Sequence, residues 1–134
     1  MKFQVPTKWA GISLIVLVFI QFADYIALER GWAFINPGTI FGLIADKAFV
    51  YVVWVAVFTL LFVFWQKKRI SLPVFTLIAL GAISNLIERL CYGGAVDYFN
   101  IPLIPTFNLA DLLIIAGLFV GLVDFFGKNP KIEK

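Results

Sequence analysis

The stretch AFVYVVWVAVFTLLFVFWQ, residues 48–66, holds no charged side chain and has the length of the ~20 apolar residues that carry an α-helix across a hydrocarbon core. Similar apolar runs lie at roughly residues 9–28, 70–90 and 108–126. Four transmembrane helices are therefore expected, making the chain an all-α integral membrane protein. Composition agrees, with 62% hydrophobic and only 14% charged residues and a mean hydropathy of +0.97, values far from those of a soluble domain. Four spans and their short loops use most of the 134 residues, so residues 1–134 are expected to form a single membrane-embedded domain. The first run is too long for the apolar region of a secretory signal, and no small-residue cleavage pattern follows it, so it is expected to be retained.

Basic residues give the orientation. Lys2 and Lys8 precede the first run, Lys67, Lys68 and Arg69 separate the second from the third, and Lys128, Lys131 and Lys134 close the chain. Cytoplasmic loops retain an excess of such residues, so both termini are expected inside. Arg30, Lys47 and Arg89 are left toward the other face. This bias accounts for the net charge of +3, so nucleic acid is not an implied partner. Cys91 is the lone cysteine and histidine is absent, which excludes an intrachain disulfide, a histidine metal site and a Ser-His-Asp triad. Cys91 reads as a small interfacial residue.

Carboxylates remain as candidate chemistry. Asp97 stands in Gly93-Gly94-Ala95-Val96-Asp97-Tyr98 and Asp111 in Phe107-Asn108-Leu109-Ala110-Asp111. An acid at a membrane boundary costs free energy unless something pairs or uses it, and these two flank one short apolar loop. On the expected topology Asp24, Asn36, Asn85, Glu88, Arg89, Asp97 and Asp111 all fall toward the outer boundary. Asn85 and Arg89, four apart, share a helix face. Such convergence from distant segments is the signature of a functional site.

Each residue also has a plainer reading. Asn108 can cap the fourth helix with Asp111 at its third position. Asp24 and Arg89 can mark the ends of their spans or pair with each other, Asp46 and Lys47 can border the second helix, and Glu88 has no evident role. Residues 95–107, apolar and interrupted by Pro102 and Pro105, are expected to lie in the interface and hold Asp97 over Asp111. Residues 32–43 suggest short extended strands or a turn resting on the membrane, which with residues 95–107 would form a small extracytoplasmic β-like cradle for an extended peptide.

The ordered blocks Asn36-x-Gly38-x-x-Phe41-Gly42, residues 81–90, Gly93 to Tyr98 and Phe107 to Asp111, with Asp24 upstream, resemble the signature of the lipoprotein signal peptidase family, also called signal peptidase II. The resemblance spans about residues 24–117. It implies a membrane aspartic endopeptidase that removes the signal peptide of diacylglyceryl-modified prolipoproteins by cutting before the lipidated cysteine. Carried over, Asp97 and Asp111 match the catalytic pair, while Asp24, Asn36, Gly38, Asn85, Arg89 and Asn108 match positions that line or support the substrate site. It implies no metal or organic cofactor, a bacterial cytoplasmic membrane location with the site on the extracytoplasmic face, and prolipoprotein and membrane lipids as partners; a monomer is expected.

Two carboxyls sharing a site resist ionising together, which leaves one protonated as an acid beside a charged base. The N-terminus of the fourth helix favours a charged Asp111, the base in this reading. The chain departs from the family pattern at Ala27, Leu28, Ile40, Leu80, Ser84 and Glu88. These departures keep two alternatives open: a catalytically silent relative that binds lipoproteins, and, more remotely, a small ion-coupled transporter.

Overall fold

The structure is a computed structural model that describes residues 6–38 and 47–127, of Lys47 the backbone alone. Expectations for Ile40, Phe41, Gly42, Asp46, Lys2 and the three C-terminal lysines fall outside the described residues. Four helices long and apolar enough to cross a membrane are present: α1 (Thr7–Glu29), α2 (Lys47–Gln66), α3 (Leu72–Tyr92) and α4 (Leu109–Gly127). Two short strands, β1 (Phe34–Asn36) and β2 (Ala95–Asp97), complete the order α1-β1-α2-α3-β2-α4. The spans agree with the apolar runs because, without water in the bilayer core, a helix is the local way to satisfy every backbone N–H and C=O.

Helix ends follow local chemistry. Pro6 precedes α1, and Pro73 sits in the first turn of α3, where a missing N–H is not needed. Helix α3 stops at Gly93, whose φ of +82° is the left-handed conformation a side chain resists, and its N–H returns to the Arg89 carbonyl. That turn feeds directly into β2.

Helix α3 is the centre of the bundle. Val74, Ile78, Ala79, Leu80, Ala82, Ser84, Asn85 and Glu88 are buried along it, whereas α1, α2 and α4 present long apolar faces outward. The tightest seam is α3 on α4, and glycines create it. A Cβ on Gly81 would collide with the Ala110 carbonyl oxygen and lie 2.7 Å from Ile114 Cγ1. One on Gly117 would lie 2.6 Å from Ile78 Cγ1 and 3.1 Å from the Ile78 nitrogen. Lipid tails are as apolar as a leucine side chain, so helices in a bilayer gain chiefly from such close packing. On α1, Gln21 donates to the Ser84 hydroxyl at 2.8 Å and ties this helix to α3. Between α2 and α3, Trp65 stacks on Phe75 with centroids 4.6 Å apart.

The strands pair antiparallel with Phe34 opposite Asp97, Ile35 opposite Val96 and Asn36 opposite Ala95. Gly94 permits this register: a Cβ there would lie 2.5 Å from the Asn36 carbonyl oxygen. Beyond β2 the chain closes a second bridge, Phe99 with Phe107, through N–H···O bonds of 2.9 and 3.2 Å. Leu103, fully exposed and with a φ of +72°, lies in the loop between them.

Candidate active site

The site is assembled where α3 ends, α4 begins and the two strands meet. Asn108 and Asp111 open α4 as a reciprocal cap: the Asp111 N–H donates to Asn108 Oδ1 at 3.0 Å, and the Asn108 N–H donates to Asp111 Oδ2 at 3.2 Å. Two orphan donors of the helix start are thereby satisfied, as the Asn-x-x-Asp spacing suggests. Asn108 Nδ2 also donates to Asn85 Oδ1 at 2.9 Å, and Asn85 Nδ2 donates to Asp111 Oδ1 at 2.8 Å. Asp111 thus receives one donor on each oxygen, and the two amides have no freedom to flip without losing a bond.

Asp97 is held from the opposite side. Asn36 Nδ2 donates to Asp97 Oδ2 at 2.9 Å, while Asn36 Oδ1 takes the Gly38 N–H at 3.0 Å. Only 2% of Asp97 is exposed. Burial, above all, raises its pKa from 3.8 to about 6; the Asn36 bond and the Arg89 charge pull it down, and the Asp111 and Asp24 charges push it further up. Asp97 and Asp111, fourteen residues apart in sequence, are therefore close enough for the charge on one to bear on the proton of the other.

Arg89 links the halves. Its NH1 donates to the Asn85 carbonyl at 3.1 Å and its NH2 to the Gly38 carbonyl at 2.9 Å, fastening the segment after β1 to α3. The guanidinium also lies over Trp54 of α2, 5.7 Å from the ring centroid. Trp54 in turn lines an apolar groove between α2 and α3 with Tyr51, Phe58, Leu86 and Leu90.

All eight residues singled out from the sequence as site candidates lie in this assembly or against it, but their partners differ in places. Asp24 and Arg89 do not hydrogen-bond each other: Arg89 serves carbonyls, and Asp24 lies beside Glu88 and Tyr98. Glu88 is fully buried, and its Oε2 accepts the Val96 N–H at 2.6 Å and Asn108 Nδ2 at 3.3 Å. A carboxylate in an apolar span signals only that something must pair it, without naming the partner. Tyr98, whose hydroxyl accepts the Leu109 N–H at 3.2 Å, and the Gln21–Ser84 bond gave no comparable signal. Burial raises the pKa of the Tyr98 phenol, helped by the Asp24 and Glu88 charges, so it keeps its proton. Among the described residues no group of three or more His, Cys, Asp or Glu side chains is arranged to hold a metal ion.

Residues 7–127 match the family described as "Signal peptidase (SPase) II". A lipoprotein signal peptidase of Acinetobacter baumannii is 30% identical over 145 aligned positions, covering 88% of this chain and 82% of that protein. One from Pelotomaculum thermopropionicum is 40% identical over 107 positions, covering 74% of this chain and 70% of that one. The fold is also similar to that of a bacterial membrane enzyme solved by the in meso method at 2.3 Å resolution, with a TM-score of 0.75 and 23% identity over 96% of this chain and 92% of that one.

Proposed function

The chain belongs to the signal peptidase II family, a family of membrane proteases, and from that premise we propose that it is an aspartic endopeptidase acting on diacylglyceryl-modified prolipoproteins, with Asp97 and Asp111 as its catalytic pair. The observation that carries this reading is the placement of two carboxyls at one end of the bundle, each held by a separate asparagine amide, with Asp97 within reach of the Asp111 charge. A pair so arranged can share one proton, which is what peptide hydrolysis by water requires.

In the proposed reaction Asp111, with N–H donors on both oxygens, is the charged member and takes a proton from water as the water oxygen attacks the scissile carbonyl. Asp97, whose pKa is raised to about 6, supplies its proton to the carbonyl oxygen. The gem-diol intermediate collapses as the C–N bond breaks, Asp97 recovering a proton from one hydroxyl while Asp111 passes its proton to the leaving amine, which resets the pair. No acyl-enzyme forms. The pH dependence belongs to the pair as a unit.

An extended substrate segment could run along the β1–β2 side past Arg89 and Asn36, with its lipid and apolar helix against the groove at Trp54, Phe58 and Leu86. The distribution of Lys and Arg supports cytoplasmic termini and a site facing outward from the cytoplasmic membrane. Residues 1–134 would act as one domain and as a monomer. The test is mass-spectrometric mapping of the products from a diacylglyceryl-modified prolipoprotein and its unlipidated form, using purified protein in lipid. A single cut before the cysteine, confined to the lipidated substrate, supports the reading. Binding of that substrate without any cut would instead support a silent lipoprotein-binding relative.

A further inference from the structure

Asp24 and Glu88 are buried to 1% and 0% exposure, and the proposed chemistry uses neither. They meet across the α1–α3 contact, with the Asp24 carboxyl against that of Glu88 and beside the Tyr98 hydroxyl. Both oxygens of Asp24 and Oε1 of Glu88 nevertheless lack a donor. Ionised carboxylates only accept hydrogen bonds, so two of them facing each other in a dry contact leave every facing lone pair unmatched. Arg89 does not resolve this: NH1 and NH2 donate to the carbonyls of Asn85 and Gly38, and its Nε, itself buried without a partner, hydrogen-bonds neither carboxyl. The other charged neighbours, Asp97 and Asp111, are acids and add to the problem.

One added proton satisfies the whole arrangement. Glu88 is suited to keep the charge, since its Oε2 already takes the Val96 N–H at 2.6 Å and Asn108 Nδ2 at 3.3 Å. Tyr98 accepts the Leu109 N–H, which leaves its own proton for one Asp24 oxygen. The other Asp24 oxygen, if protonated, donates to Glu88 Oε1. We propose that Asp24 and Glu88 share a single proton in a carboxylic acid–carboxylate hydrogen bond, and that through it they are positioning residues for the Asp97–Asp111 pair.

The positioning follows from what Glu88 holds. Val96 is the residue before Asp97, so its N–H fixes the strand that presents one aspartate. Asn108 caps α4 and aims Asn85 at the other. A single carboxylate thus braces the backbone of one acid and the amide support of the other, and the shared proton with Asp24 sets where that carboxylate sits. This role rests on the aspartic-peptidase reading; the shared proton itself does not.

Infrared spectroscopy of the full chain in lipid tests the proton independently of turnover. In an Asp97→Asn/Asp111→Asn background, which removes the proton of the dyad, a protonated-carboxyl C=O band sensitive to deuteration should persist at neutral pH and vanish on adding Asp24→Asn. Absence of that band, or its survival in the triple variant, overturns the shared proton. The positioning role is read from turnover. Asp24→Asn, whose amide N–H can replace the acid O–H, should cost no more than about tenfold in kcat, whereas Asp24→Ala should cost about a hundredfold with KM little changed, as for a small displacement of catalytic groups. Equal losses in the two variants overturn the role. If Asp24→Ala does not fold, Asp24→Glu replaces it as the disruptive variant, its longer side chain displacing Glu88. Full cleavage by the Asp97→Asn/Asp111→Asn protein would sink Asp97 and Asp111 as the catalytic pair while the infrared result still decided the shared proton.

Discussion

Asn36→Ala removes the one side-chain donor to Asp97 among the described residues, a 2.9 Å bond to Oδ2 from an amide already aimed by the Gly38 N–H. The bond favours the charged carboxylate and works against the burial that lifts the Asp97 pKa to about 6. A hydrogen bond to a charged group contributes about 1.5–3 kcal/mol, and one pKa unit corresponds to about 1.36 kcal/mol, so its loss should raise the pKa by about one to two units. In the proposed mechanism Asp97 must be protonated, so activity declines as pH rises through its pKa. The alkaline limb of kcat/KM should therefore move from about 6 to about 7 or 8. The assay is kcat/KM for a lipidated peptide across that range, with a uniform loss from weaker substrate binding separable because it does not move the limb. Stability carries the same sign. The folded state binds more protons than the unfolded chain between pH 3.8 and about 6, so this group's contribution falls as pH rises through that window. Asn36→Ala should extend the fall to higher pH, making the variant's deficit in Tm larger at pH 8 than at pH 5. An unmoved limb, or one displaced to lower pH, would refute the assignment of Asp97 as the acid.

Gly94→Ala would set a Cβ 2.7 Å from Ile35 Cγ2 and against the Asn36 backbone, parting β1 from β2; steady-state kinetics should show about a hundredfold loss in kcat. At the α3–α4 seam, Gly81→Ala should cost about 1–3 kcal/mol by overpacking, whereas Gly121→Ala, with 3.4 Å to Val74 Cγ1, should change stability by less than about 0.5 kcal/mol; thermal denaturation in detergent compares the two. Asn108→Asp keeps an acceptor for the Asp111 N–H but loses the donor to Asn85 and Glu88. It should keep α4 capped but lose most turnover and more stability than Asn108→Ala, because the new carboxylate is fully buried against the Glu88 and Asn85 oxygens, whereas Asn108→Ala should lose about 1 kcal/mol of cap stability.

What was legible in the sequence had a local cause. Four spans follow from run length alone, and the Asn108–Asp111 cap follows from a three-residue spacing whose geometry is fixed by the first helical turn. Of the short strands or turn expected over residues 32–43, a strand forms at Phe34–Asn36. Side-chain partners across elements were less accessible. The suggested Asp24–Arg89 pairing fails because Arg89 finds carbonyl acceptors on α3 and at Gly38, and Asp24 finds the acid and phenol beside it. Glu88 had no evident role because one of its partners is the backbone N–H of Val96, which no residue type announces. The departure from glycine at Ser84 acquires a reason from Gln21, which meets its hydroxyl across the α1–α3 contact. The tight α3–α4 seam does carry a sequence sign, since Gly117 and Gly121 are four apart, the spacing of close helix contacts in membranes.

The central claim is that Asp97 and Asp111 act together on a lipidated substrate. It is tested most directly by single-turnover cleavage of a diacylglyceryl-modified prolipoprotein by the wild type, Asp97→Asn, Asp111→Asn and the double variant, each verified as folded in lipid. The account predicts cleavage before the modified cysteine by the wild type, and losses in the single variants as severe as in the double, because residues acting as a unit are not additive. Substantial cleavage by either single variant, or losses that multiply in the double, would contradict it.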